Sequence, residues 1–198
     1  MIFVLPFKIL ATIFAMLYIF IFLIYQHFSE LDLNSFGNLY SISSKSLTIF
    51  GLIITGFTLS WRCIWKIIPI LNEVVFPDLN GVWHIDIHWN NGTNNGIAVG
   101  TAVIKQSLVK MSMEISTNTS YSETLMIKPR KNNESDRPSL FYIYRNTPKI
   151  ITTSNPGSYL GTAILNLSLN SESKLSGNYF SERNTQGHFN LTKDINKP

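Results

Sequence analysis

The chain has 198 residues, 16 basic and 12 acidic, for a formal net charge of +4, and a single cysteine. One cysteine excludes an intramolecular disulfide and any zinc site built on cysteine pairs, and so small a basic surplus is far from the dense stripe of a protein that coats nucleic acid. The mean hydropathy of +0.12 averages two unlike parts, an apolar stretch of about seventy residues and a remainder rich in Ser, Thr and Asn. From Pro77 onward 12 basic residues stand against 9 acidic ones, which suits an anionic ligand or a membrane surface.

Ile9 to Tyr25 carries no charge, glycine or proline. At 1.5 Å per residue it covers roughly 25 Å, and the run back to Ile2 extends it past the ~30 Å hydrocarbon core, with Lys8 able to snorkel to the headgroups. The flank Gln26-His27-Phe28-Ser29 has no small-x-small cleavage pattern and a second apolar run follows, so a signal peptide is the weaker reading. That second run, Leu47 to Trp65, holds Gly51 and Gly56 for close helix approach and ends in Trp61, Arg62, Trp65 and Lys66, the composition of an interfacial belt. The predicted spans are about 7–25 and 47–67, in a hairpin unit 1–75. Basic residues flank the outer ends of both spans, whereas the loop 26–46 has only Lys45 against Glu30 and Asp32. The positive-inside rule then predicts a multi-pass protein with both termini, and the whole C-terminal domain, in the cytoplasm. A two-span hairpin is not a channel by itself; a pore needs several copies.

Phe76-Pro77-Asp78-Leu79-Asn80-Gly81-Val82-Trp83 is the border between the two chemistries. Pro77 disfavours helical geometry at Phe76, so the second helix is expected to end by then. No Gly/Ser-rich linker is present, so the boundary is read as short and stiff. Residues 76–198 then read as a β domain. Trp83, Ile85, Ile87 and Trp89 alternate with His84, Asp86 and His88 in a first strand. Asn90 to Gly96 is hairpin-turn chemistry. Further strands are expected over about 97–107, 110–118, 122–128, 139–146, 159–169, 174–181 and 187–192, with a charged loop from Pro129 to Pro138 and a turn at Asn155-Pro156-Gly157. Eight short strands with turns between neighbours predict an antiparallel up-and-down β-barrel, with a β-sandwich as the alternative. Eight strands enclose an interior that side chains fill or one small ligand occupies.

His84-x-Asp86-x-His88 has three potential metal ligands on one strand face, but i, i+2 spacing on a flat strand converges poorly and no other ligand cluster joins it. It is read as a solvated face, and no metal or other cofactor is expected. No nucleophile-base arrangement, Gly-x-Ser-x-Gly or phosphate loop is present, so catalysis is not expected. Binding is better supported. Phe141, Tyr142, Tyr144, Tyr159, Tyr179 and Phe180 supply flat rings, and stacking on such rings is worth roughly 1–3 kcal/mol per base. Lys105, Lys110, Arg145 and Arg183 can pair phosphates, and Gln106, Asn146, Asn184 and Thr185 can hydrogen-bond base edges or ribose. Alternation sets Tyr142, Tyr144 and Asn146 on one face and Phe141 and Ile143 on the other; the first set is expected to face the interior. From these the candidate ligand-binding residues are Gln106, Lys110, Tyr142, Tyr144, Asn146, Tyr179, Arg183 and Thr185. A tethered barrel for a lipid or other apolar ligand, and a structural protein-interaction module, are the competing readings.

Two apolar runs are followed by Pro77-Asp78-Leu79-x-Gly81-x-Trp83, Gln106-x-x-x-Lys110, Tyr142-x-Tyr144-x-Asn146-x-Pro148, Gly161-Thr162-Ala163-x-Leu165 and Leu175-x-Gly177-x-Tyr179-Phe180-x-x-Arg183-x-Thr185-x-Gly187. In this order the chain resembles the bacterial two-transmembrane, β-strand-rich effectors of cyclic-oligonucleotide-based antiphage signalling (CBASS). The resemblance implies that an infection-activated nucleotidyltransferase makes a cyclic dinucleotide and the barrel binds it. The effector then oligomerises, its spans disrupt the bacterial inner membrane, and the cell dies before the virus matures. From the residues themselves, no enzymatic activity and no direct binding of DNA or RNA are expected.

Overall fold

The computed structural model describes residues 7–29, 34–131, 137–150, 157–168 and 171–194. Glu30 and Asp32 of the inter-span loop, 132–136 of the charged loop, Asn155 and Pro156 of the expected turn and Leu169 of the sixth strand lie outside them. The chain divides between Ile70 and Leu71 into two compact units.

The first unit contains α1 (Phe7–Ser29) and α2 (Phe36–Ile67), both long and apolar enough to cross a membrane. They pack through the Phe14 and Tyr18 rings, which meet Phe50 edge-on at 6.2 and 6.0 Å. Hydroxyls on α2 turn back onto their own helix: Thr55 donates to the Gly51 carbonyl at 2.8 Å and Ser60 to that of Gly56 at 2.6 Å. Such bonds satisfy polar side chains without help from water, as a segment able to cross a membrane requires. α2 differs from expectation at its start. It begins at Phe36, so most of the loop expected over 26–46 is helical and Lys45 lies inside the helix. Its 32 residues make a rod of about 48 Å, longer than a ~30 Å hydrocarbon core. Its first turns hold the polar residues Asn38, Ser41, Ser43, Ser44 and Lys45. Pro69, rather than Pro77, stops it: Ile68 is forced out of helical geometry to φ −119°, ψ 80°. A five-residue helix α3 (Ile70–Val74), not anticipated from the sequence, comes next.

The second unit is a closed barrel of β1 (Gly81–Asn90), β2 (Asn95–Gln106), β3 (Met111–Thr117), β4 (Ser120–Lys131), β5 (Pro138–Pro148), β6 (Tyr159–Ser168), β7 (Ser171–Ser181) and β8 (Gln186–Lys193). Every strand is antiparallel to the next and β8 returns to β1, which is the up-and-down order that the alternation predicts. Trp83 and Ile85, Ala102 and Ile104, Leu140 and Tyr142, Leu175, and Leu191 point inward and are fully or almost fully buried. His84, Asp86 and His88 point outward and are exposed. Among the described residues no group of three or more His, Cys, Asp or Glu side chains is placed to hold a metal ion.

β4 is longer than expected. It runs through Pro129 to Lys131, and β5 begins at Pro138, so the flanks of the charged loop belong to the sheet. The reason is the seam beside it. β3 pairs with β4 only at Ile115–Ser122 and Ser116–Tyr121, so Pro129 lies where the other edge of β4 has no ladder partner and a missing N–H is tolerated. β4 also carries a bulge between Thr124 and Met126. There the Thr124 hydroxyl replaces the ladder, accepting from the Met113 N–H and donating to the Met113 carbonyl, each at 2.7 Å.

Candidate ligand-binding site

In an up-and-down barrel the odd strands all run one way. Here they run from the end where residues 76–80 enter to the opposite end, so the ends of β1, β3, β5 and β7 and the starts of β2, β4, β6 and β8 share one mouth. The two ends have different chemistry.

The entry end is filled. Phe76, Leu79, Trp83 and Leu108 are buried there, and the Trp83 indole donates to the Leu79 carbonyl at 3.0 Å. Gln106 accepts from the Leu79 N–H at 2.8 Å and donates to the Pro77 carbonyl at 3.0 Å. Asn80 returns the grip, accepting from the Gln106 N–H at 2.7 Å and donating to its carbonyl at 3.0 Å. Lys193 donates to the Asp78 carbonyl at 3.1 Å. The segment thus closes the barrel floor with its own backbone groups satisfied, as burial demands. Gln106 is part of this floor, and Lys110, in the turn after β2, has an exposed side chain at the same end. The structure does not bring either residue to the mouth.

The mouth holds a cavity of about 270 Å³ lined by side chains that include Tyr144, Asn146, Tyr179, Thr185, Trp89, Tyr159 and Phe189. Tyr142 and Tyr144 stack at 5.0 Å and Tyr179 and Phe189 at 4.4 Å, with interplanar angles of 22° and 18°. Tyr142 lies deeper, fully buried, with its hydroxyl donating to the Met113 carbonyl at 2.9 Å. Gly161 has no β-carbon to offer because the Tyr144 ring fills that space: a Cβ there would come within 2.3–2.7 Å of it. Tyr142, Tyr144 and Asn146 face inward, whereas Phe141 and Ile143 are only partly buried on the outer side.

Arg183 is set at the rim by the β7–β8 turn. Asn184 takes the left-handed conformation (φ 55°), which asparagine tolerates, while the Ser181 N–H donates to the Thr185 carbonyl at 3.0 Å. Glu182 ties the turn to β6 by accepting from the Leu160 N–H at 2.8 Å. The Arg183 guanidinium consequently lies 4.4 Å from the Tyr159 ring centroid and donates to the Gly157 carbonyl. A second cation at this end, Lys149, was not singled out from the sequence; it donates to the Thr117 carbonyl. Thr117, Ser120 and Ser122 add hydroxyls to the lining and were missed as well, because Ser and Thr are too common in this chain to stand out by type.

Burial holds four phenols in the neutral form. It raises Tyr144, with the nearby phenols of Tyr159, Tyr179 and Tyr142 adding to the effect. It raises Tyr142 against opposing hydrogen bonds from Ser122 and Thr124. It raises Tyr159 against the Arg183 charge and a hydrogen bond with Asn146. It pushes Tyr179 up to about 12, with Tyr159 contributing. Above the ordinary tyrosine value of about 10 the unfolded chain has lost protons that the barrel still holds, so stability falls as pH rises. The barrel is expected to be unaffected by these groups below about pH 10 and to lose stability progressively above it. Tyrosinate absorbance followed with near-ultraviolet circular dichroism checks this. All tyrosines ionising together near pH 10 in a still-folded barrel would contradict it.

A closed barrel with a packed floor and an aromatic mouth, rimmed by an arginine and lined by amide and hydroxyl groups, defines a receptor for a small, flat, anionic molecule. The family model described as Cap15, cyclic dinucleotide receptor domain, matches residues 74–193, and the chain belongs to that family of CBASS effectors. Its ligand class is a cyclic dinucleotide. Comparison with curated proteins gives no match.

Proposed function

We propose that this protein kills its own cell on an infection signal: a cyclic dinucleotide enters the barrel mouth, protomers associate, and their apolar helices breach the bacterial inner membrane. The observation that carries the ligand step is the mouth itself, whose wall is lined by the edges of the Tyr144, Tyr179 and Phe189 rings beside the Arg183 guanidinium. Tyr144, Asn146, Tyr179, Arg183 and Thr185 are the contacts, with Tyr142 supporting Tyr144 from below. Gln106 and Lys110 are left out of the binding set because they lie at the other end. The protein acts as a receptor rather than a catalyst, without cofactor and without binding DNA or RNA. The polar mouth lining and an interior packed with Trp83, Ile85, Leu140 and Tyr142 favour a nucleotide over a lipid ligand.

The membrane step rests on two helices of sufficient length and hydropathy, and on Lys8, Arg62 and Lys66 at their outer ends, which favour cytoplasmic termini. Association rests on the arithmetic of a two-helix hairpin, which encloses no pore alone. It also rests on a row of outward side chains, Met126–Ile143–Thr162–Phe180, that is apolar but for Thr162, and on the neighbouring pair Phe141–Ile164, which Lys128 and Asn178 flank in register. Phe180 is 57% exposed and Met126 51%.

Full-length protein in liposomes of bacterial lipid, loaded with a self-quenched dye, tests the proposal. Leakage is expected only when a cyclic dinucleotide is added on the barrel side. Leakage without nucleotide, or none with any nucleotide that binds, would sink it. A Gly/Ser insertion after Ile68, where the α2 hydrogen-bonding ends, is expected to leave binding unchanged and weaken leakage. Phe76 is a poor place for the same insertion, since its side chain is buried in the floor. Undiminished leakage from the Ile68 insertion would mean that the barrels only concentrate the helices.

A further inference from the structure

Trp89 ends the inward face of β1 at the mouth. It is flanked in register by a glycine on each side, Gly96 on β2 and Gly187 on β8. The two glycines differ in what they face. A β-carbon at Gly187 would strike the His88 backbone carbonyl, so that glycine serves the sheet. The nearest atoms to a β-carbon at Gly96 would all belong to the Trp89 indole, whose Cζ2, Cε2 and Nε1 would lie 2.9, 3.0 and 3.2 Å away. The indole therefore lies across Gly96, in a place that the missing side chain leaves open. It borders both the mouth cavity and an adjoining groove of about 610 Å³ on the outer side of the rim.

The other rings of the mouth are already engaged. Tyr144 is stacked on Tyr142, Tyr179 on Phe189, and Tyr159 is covered by Arg183. Among the described residues the Trp89 indole has no aromatic partner and its N–H no acceptor, and it is only half-buried. A mouth of about 270 Å³ is also below the roughly 300–1,000 Å³ of sites that enclose most of a drug-sized ligand. A cyclic dinucleotide entering it leaves part of itself at the rim, where an unengaged indole face is the available stacking surface.

We infer that Trp89 is a base-stacking residue of the ligand site and that Gly96 is its positioning residue. This rests on the receptor reading above and adds to it the part of the ligand that stays at the rim. Trp89 holds one base of the cyclic dinucleotide against its indole face, and Gly96 allows the ring to lie flat enough to do so.

The test uses the full-length protein in detergent micelles and a panel of 3′,3′-linked cyclic dinucleotides covering purine and pyrimidine pairings, titrated by calorimetry. Trp89→Ala is expected to weaken binding roughly 5- to 150-fold, and Trp89→Phe much less. Gly96→Ala, which displaces the indole without removing it, is expected to give an intermediate loss. Ligand is also expected to quench indole emission in the wild-type protein but not in Trp89→Phe. The quenching and Gly96→Ala results decide the matter if Trp89→Ala does not fold. Wild-type binding that both Trp89→Ala and Gly96→Ala leave unchanged, with no quenching, would overturn the Trp89 assignment alone. Failure of every panel member to bind the wild-type protein would overturn it together with the receptor reading.

Discussion

Arg183→Ala is expected to lower affinity for a cyclic dinucleotide by roughly 10- to 100-fold while leaving the barrel folded, since a hydrogen bond to a charged group is worth about 1.5–3 kcal/mol. The side chain sits in a surface turn and is only half-buried, so its removal opens no core cavity. What is lost is a guanidinium held at the rim from two directions, by the Tyr159 ring and by the Gly157 carbonyl. Its planar fork is the donor geometry that a phosphodiester accepts best. Arg183→Lys keeps the charge but loses the fork and much of the stacking on Tyr159, so its affinity should fall between those of the wild type and the alanine variant. Calorimetric titration of all three at two salt concentrations decides it. Equal affinities, or a loss that accompanies unfolding, would remove Arg183 from the phosphate-binding role.

Trp83→Ala is expected to have the largest effect on stability, about 3–5 kcal/mol by comparison with other buried aromatic-to-alanine replacements. Trp83 is wholly inaccessible to solvent and its indole N–H holds the Leu79 carbonyl at 3.0 Å. Removing it empties the floor and strands that carbonyl. The thermal midpoint of the barrel should drop by on the order of 10–20 °C. Gln106→Leu attacks the same floor differently. It leaves the Leu79 N–H and the Pro77 carbonyl buried without partners, a penalty of about 1–3 kcal/mol for each. Neither change touches the mouth, so ligand affinity per folded molecule should stay near wild type. Thermal melts with and without nucleotide measure both quantities. A Gln106→Leu barrel that melts normally but fails to bind nucleotide would return Gln106 to the ligand site.

The positions of Gln106 and Lys110 were within reach of the sequence. Once eight hairpin-connected strands are accepted, strand parity alone sorts residues between the two ends. Tyr144 and Asn146 lie late in β5, Tyr179 late in β7 and Thr185 in the turn after it, all at the mouth. Gln106 closes β2, an even strand, and belongs to the opposite end with Lys110. Choosing residues by side-chain type, without asking which end of the barrel each strand end reaches, grouped two residues of the floor end with those of the mouth. Trp89 illustrates the converse. Its inward face is plain from the alternation over 83–89, but its free indole face depends on neighbours that are far away in sequence.

The sequence by itself determined the features set by local periodicity and composition: two apolar helices, eight alternating strands, their up-and-down order, and the grouping of Tyr142, Tyr144 and Asn146 on one strand face. These are legible because side-chain direction repeats every two residues in a strand and because an apolar run long enough for a bilayer has few other uses. Tertiary structure alone decided which end of the barrel is open. Residues 76–80 fold back over one end and bond to Gln106, about thirty positions away, while the Tyr159–Arg183 and Trp89–Gly96 contacts shape the other. Such pairings depend on register and ring orientation across strands, and neither is carried by the periodicity of any single strand.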